Sequence, residues 1–201
     1  DIERIELLEE LLTEMNSKYF SIFKRRSGTM GSVMFAIDKI KNEGLTALEF
    51  EQKTLEQFAS SMKDEALFYK VSRGDKKKGD IKPAELAKRE RRRDKNLELG
   101  NLYEGYQSKM EEKNFYDFSD LILFFIDSLQ SNEEFKMEMQ ERFQYILVDE
   151  HQDTNDAQNR IIHLLIDNPV NEGKPNLFVV GDDKQAIYRF AGASEASFGE
   201  L

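Results

Sequence analysis

Cysteine is absent from the 201 residues. That excludes disulfides and thiolate metal sites, and it is weakly in keeping with an intracellular setting. Histidine is almost absent. His151 and His163 are the only two, too few for a zinc site when no thiolate can complete it. No apolar run approaches the ~20 residues of a membrane span. The most apolar stretch, Leu121 to Ile126, is far shorter. The chain opens without a basic segment followed by an apolar one, so a signal peptide is not expected. It begins at Asp1 rather than Met, which reads as an excised piece of a longer protein.

What is present is charge. Hydrophobic residues make up 39% and charged residues 34%, a balance that predicts long, solvated helices in one or two domains. The net charge of −10 argues against simple nucleic-acid binding, yet it is unevenly spread. Lys70 to Lys95 holds 12 Lys/Arg against 5 Asp/Glu. A basic island in an acidic chain suits a localised phosphate contact. It equally suits a solvated loop and helix surface.

The first half reads as helices. Ile5, Leu8, Leu12 and Met15 recur at helical spacing. Ser27 to Ser32 reads as a turn. Val33, Met34, Ile37 and Ile40 form a second stripe that Gly44 stops as a C-cap. Thr46 with Glu49 opens a third helix through Leu55, Phe58 and Met62. Gly74 to Gly79 is a charged loop, and Pro83 suits the first turn of a long helix to about Lys113. Asp117 with Asp120 starts another helix, and Ser131 with Glu134 one more.

The texture then changes. Tyr145 to Val148 and Leu177 to Val180 are short apolar runs, and between them Ile161, Ile162, Leu164 and Leu165 mark a helix. Strand, helix, strand at this spacing predicts a βαβ unit with two parallel, buried strands. A boundary between a helical region and an α/β region is expected near residue 115.

Both expected strands end in acids: Asp149 and Glu150 after the first, Asp182 and Asp183 after the second. Functional groups in open α/β sheets gather at the carboxyl ends of strands. Paired carboxylates there are costly unless a cation offsets them, and Mg²⁺ takes one or two carboxylates plus water and phosphate oxygens. An adjacent acid polarises an attacking water. The alternative is that these acids simply cap the helices that follow.

The residues around these acids carry a resemblance. Val148 to Asn155 (Val-Asp-Glu-His-Gln-Asp-Thr-Asn) resembles motif II, the Walker B box, of UvrD/Rep/PcrA-type superfamily 1 DNA helicases. Val180 to Ala193 (Val-Gly-Asp-Asp-Lys-Gln-Ala-Ile-Tyr-Arg-Phe-Ala-Gly-Ala) resembles their motif III. Phe115 to Ile122 is similar to the Asp-Phe-x-Asp-Leu segment they carry upstream, and Ile37 to Leu45 to a stretch of their helical insertion. The resemblance implies an α/β fold in two parts: a mainly helical 1B-like subdomain over 1–114, and over 115–201 a partial parallel-sheet, RecA-like P-loop NTPase segment, the 1A motor domain. It implies ATP and Mg²⁺ as cofactors, single-stranded and duplex DNA as partners, 3′-to-5′ polarity, and a cytoplasmic, nucleoid-associated protein.

Site roles follow residue by residue from that resemblance. Asp149 holds Mg²⁺ through its water shell. Glu150 is the general base. Gln152 and Asp153 link the nucleotide site to neighbouring motifs, and Gln185 senses the γ-phosphate. Tyr188 and Phe190 offer aromatic faces to DNA bases, a contact that tolerates any sequence. In the basic island Lys76, Lys77, Lys78, Arg89, Arg91, Arg92 and Arg93 are the expected contacts to duplex phosphate. The sequence departs from the pattern at His151, where the family usually has Tyr or Phe, at Phe190, usually Trp, and at Ala191, often Arg. Two other readings stay open: the motor of a RecB/AddA-type helicase–nuclease, and an inactive DNA or protein docking module.

One expected part is missing. Gly-x-x-x-x-Gly-Lys-Ser/Thr, the loop that cradles ATP phosphates, does not occur. Family order places it before Asp1, and the arginine finger after Leu201. Phosphoryl transfer is chiefly positioning plus electrostatics, so these 201 residues alone are expected to release no phosphate from ATP above background. A phosphate-release assay on the purified chain checks this, and robust turnover would contradict it.

Overall fold

The computed structural model describes residues 2–15, 17–20, 28–72, 74–167 and 176–182. They form helices α1 (Ile2–Glu14), α2 (Gly28–Asn42), α3 (Ala47–Ser61), α4 (Pro83–Glu112), α5 (Phe118–Ser131), α6 (Glu133–Arg142) and α7 (Asp156–Ile166), with strands β1 (Ile146–Val148) and β2 (Leu177–Val179). The chain falls into two compact units, Asp1–Met34 with Ala47–Asn114, and Phe35–Thr46 with Phe115–Leu201. Among the described residues no helix is long and apolar enough to cross a membrane.

In the first unit α4 packs against α1 and α3. The expected α1 stripe is rotated. Leu7, Leu8, Leu11 and Leu12 are buried, while Ile5 and Met15 are more than a third exposed. The leucine pairs repeat four residues apart and give one face a denser apolar surface than Ile5 and Met15 offer. Leu11 sits so close to α4 that a Cβ at Gly105 would lie 2.8 Å from its Cδ1. The Arg4 Nε donates to the Tyr106 hydroxyl at 2.7 Å, and Lys109 pairs with Glu10 and Glu14 at 3.2 and 3.1 Å.

Helix α4 begins at Pro83, where a missing N–H costs nothing, and its buried residues start only at Leu99. The preceding half is exposed or half-buried and carries the arginine-rich end of the basic island. Before it, the Tyr69 N–H donates to Asp80 O and the Gly79 N–H to Tyr69 O, both at 2.9 Å, and the Lys82 N–H donates to Leu67 O at 2.8 Å. The charged loop is therefore the tip of a short antiparallel pairing. Gly74 and Gly79 both hold positive φ.

Two helix boundaries differ from the sequence reading. Helix α2 starts at Gly28, so residues 28–32 are helical rather than a turn. The ~1 kcal/mol cost of a helical glycine is outweighed by the burial of Val33, Ile37 and Ile40. Helix α6 is capped by Asn132, whose side chain accepts from the Phe135 N–H, and not by Ser131, which is the last residue of α5.

In the second unit α5 packs against α6 and α7. Gly44 does stop α2. With φ at 71°, it lets its own N–H reach Lys41 O at 2.9 Å and the Leu45 N–H reach Ile40 O at 3.2 Å, the pair of bonds of a Schellman cap. A Cβ there would also lie 3.3 Å from the Ala157 Cα. One turn earlier, Lys41 is wholly buried and bonds Asp117 at 2.8 Å and Asp120 at 2.6 Å. Those two aspartates form the expected capping box of α5.

The strands pair in parallel, with Ile146 opposite Leu177, Leu147 opposite Phe178 and Val148 opposite Val179. They are not buried as expected. Leu147 is 76% and Phe178 63% exposed, while their neighbours are half-buried. Parallel strands are buried when both faces are covered, and among the described residues only one face is. Because the ammonium of Lys41 is the partner of a carboxylate with 1% exposure, Lys41→Met is expected to cost about 3–5 kcal/mol, read from the urea midpoint of the second unit.

Candidate functional site

The two acidic strand ends lie side by side. The in-register pairing carries past the strands: the Val180 N–H donates to Val148 O at 2.8 Å, and the His151 N–H donates back to Val180 O at 3.0 Å. Asp149 and Glu150 therefore stand beside Gly181 and Asp182. Both Asp149 and Glu150 are exposed, and no Lys or Arg among the described residues pairs with either.

Neither acid caps the following helix. Helix α7 is capped by Asn155, in a capping box with Gln158. The Asp149 Oδ1 accepts the Glu150 N–H at 2.9 Å. Glu150 itself is left-handed, with φ 50° and ψ 41°, a conformation rare outside glycine, asparagine and aspartate. Such a backbone persists only when its surroundings hold it, and it clusters at functional sites. Directly after Glu150 the chain makes one 3-10 turn, His151–Asp153.

Gln152 ties the two ends together. It is buried, its Nε2 donates to the Glu150 carboxylate, and its Oε1 accepts the Asp182 N–H at 2.9 Å. One amide thus fixes both the carboxylate of the first strand end and the backbone of the second. His151 is also buried. Its Nδ1 lies 3.1 Å from the Thr154 hydroxyl, which donates to the His151 carbonyl at 2.7 Å. That bond uses the hydroxyl's one proton, so the imidazole is assigned as the donor at Nδ1. Asp153 is half-buried, and its Oδ1 is buried without a partner.

This donor set suits Mg²⁺, which asks for one or two carboxylates and fills its shell with water and phosphate oxygens. Among the described residues no three of His, Asp and Glu are placed together to hold a metal ion. The structure brings Asp149, Glu150, Gln152 and Asp153 into one turn. Gln185, Tyr188 and Phe190 lie outside the described residues, as does Asp183. The left-handed Glu150 was not legible in the sequence. An acid placed between a strand and a one-turn helix is the signal that points to it.

The basic island divides. Lys76, Lys77 and Lys78 are exposed at the hairpin tip, and Arg91 and Arg92 are exposed on α4. Arg89 and Arg93 are half-buried and already engaged. Arg89 bonds Asp64 at 3.0 Å. Arg93 bonds Asp94 at 2.7 Å and lies 4.4 Å over the Phe58 ring.

Known proteins share this chain's sequence over most of its length. The family model described as the UvrD/REP helicase N-terminal domain matches residues 3–200. The chain is 41% identical over 96 residues to the ATP-dependent DNA helicase PcrA of Leuconostoc citreum, covering 48% of this chain and 12% of that protein. It is 33% identical over 156 residues to the PcrA of Staphylococcus epidermidis, covering 78% and 19%. It is 35% identical over 102 residues to an ATP-dependent helicase/nuclease subunit of Streptococcus pneumoniae, covering 51% and 8%. The chain thus spans less than a fifth of the length of these relatives.

Gln152→Ala is expected to release the Asp182 amide. Loss of one hydrogen bond of about 1 kcal/mol corresponds to roughly five-fold faster amide exchange at Asp182, measured by NMR, with exchange in α4 unchanged.

Proposed function

The chain belongs to the UvrD/REP helicase family, and on that premise we propose that it supplies the magnesium-holding and water-activating part of an ATP-driven DNA motor. Residues 115–201 are the piece of the 1A motor domain, and 1–114 the 1B-like helical piece, with Phe35–Thr46 packed into the motor unit. The observation that carries this reading is the adjacency of the two acid-ended strands, with Gln152 linking Glu150 to Asp182.

Bound Mg²⁺ supplies neutralisation of the charge that develops on the phosphates. Asp149, exposed at the strand end, holds that ion's water shell. Glu150 orients the attacking water and accepts its proton. Gln152 keeps the Glu150 carboxylate in one orientation, which limits the misplacement that costs rate. Gln185 senses the γ-phosphate, and Tyr188 and Phe190 stack on bases of single-stranded DNA. Lys76, Lys77, Lys78, Arg91 and Arg92 meet duplex phosphate as solvated point charges. Movement along DNA is 3′-to-5′, as in the helicases that the motifs resemble.

The similarity to a helicase/nuclease supports a second reading, a motor joined to a nuclease. A nuclease domain encoded further along the same gene would decide for it.

The test uses the longer protein that carries the phosphate loop. Glu150→Gln is expected to lower DNA-stimulated ATP turnover by about 10²–10⁴-fold, the range of a lost general base, while fluorescent-nucleotide binding is retained. Turnover within a factor of two of the parent would remove Glu150 from its role.

A further inference from the structure

Helices α3 and α4 border an open cleft of about 300 Å³ in the first unit, lined by Gln57, Phe58, Ser61, Lys88, Arg89 and Arg92 among others. Its charges do not cancel. Asp64 is spent twice over: its Oδ1 accepts the Ala66 N–H at 2.8 Å and its Oδ2 accepts from the Arg89 Nη2 at 3.0 Å. Arg93 is matched by Asp94, which accepts from both its Nε and its Nη2. Lys88 and Arg92 pair with no carboxylate among the described residues, and Glu85 is the one acid in the lining left to face them.

The decisive atom is the Nη1 of Arg89. It is buried and has no hydrogen-bond partner. An unmet guanidinium donor is costly to keep buried, and its fork geometry matches a tetrahedral oxyanion. Asp64 anchors the Nη2 of the same guanidinium, so an oxyanion meets Nη1 once the side chains that cover it give way.

We propose that the α3–α4 cleft is a phosphate-binding site, in which the Arg89 Nη1 donates to a phosphate oxygen and Lys88 and Arg92 close over it from the rim. The volume admits a phosphate together with part of the group that carries it, as at a nucleic-acid end or backbone, and it admits free phosphate. The site shares Arg92 with the proposed duplex contact and deepens that reading, but it shares no residue with the strand-end acids, so it stands whether or not those acids hydrolyse ATP.

The test titrates the whole 201-residue chain with inorganic phosphate and, separately, with a short single-stranded oligonucleotide. The side-chain signals of Arg89 are followed by NMR, with sodium chloride of equal ionic strength as control. The expected result is a saturable shift at Arg89 that chloride does not reproduce. Lys88→Gln/Arg92→Gln, whose side chains are exposed and unpaired and so leave the fold intact, is expected to weaken it about tenfold or more. Saturation by the oligonucleotide well below the phosphate concentration assigns the ligand to nucleic acid. Equal affinity per phosphate assigns it to the free ion. Absence of a saturable shift with either probe, an equal shift with chloride, or unchanged affinity in the double variant would overturn the proposal.

Discussion

A lysine ammonium with no solvent exposure sits against two carboxylates in the second unit, and the path from there to the acidic strand ends is continuous. Each carboxylate divides its oxygens. The Asp117 Oδ1 accepts the Asp120 N–H and its Oδ2 accepts from Lys41 Nζ, while the Asp120 Oδ2 accepts the Asp117 N–H and its Oδ1 accepts from Lys41 Nζ. The first turn of α5 and the last turn of α2 are thereby one object. Buried charges are tolerated only when paired and hydrogen-bonded in this way, and the positive end of α5 lowers the cost of holding two carboxylates.

Three residues beyond Lys41 the chain turns at Gly44. The contact with Ala157 and the bond from the Arg160 Nη1 to Gly44 O at 3.0 Å fix α7 against that turn. Arg160 also reaches Gln130 of α5. Helix α7 starts at the Asn155 cap, directly after the 3-10 turn that carries Gln152 and Asp153. The placement of the acids thus rests on a helix that is clamped from two sides.

Much of this was legible in the sequence, and the failures have a common cause. The capping box at Asp117 and Asp120, the glycine stop at 44 and the proline start at 83 are local patterns that local chemistry decides, and the parallel strand pair follows from two apolar runs with a helix between them. Lys41 is 76 residues from Asp117, and no periodicity announces a partner at that distance. Ser131 and Asn132 are both good caps, so the choice between them rests on where α5 ends. The leucine pairs of α1 outweigh Ile5 and Met15 as a buried face, and Gly105 of α4, which admits Leu11 closely, adds a reason that the sequence of α1 does not contain. The exposure of Leu147 and Phe178 depends on what covers a sheet face, a property of neighbours rather than of the strand itself.

Glu150 holds its unusual backbone between Val148 and His151, both of which are bonded to Val180 just past the second strand. Its left-handed turn stores roughly 1–2 kcal/mol, released only when those ties break. Strand separation and carboxylate position are therefore not independent variables. The same two hydrogen bonds that shape the turn also set where the carboxylate stands, so sheet register is part of the geometry of the acidic strand ends.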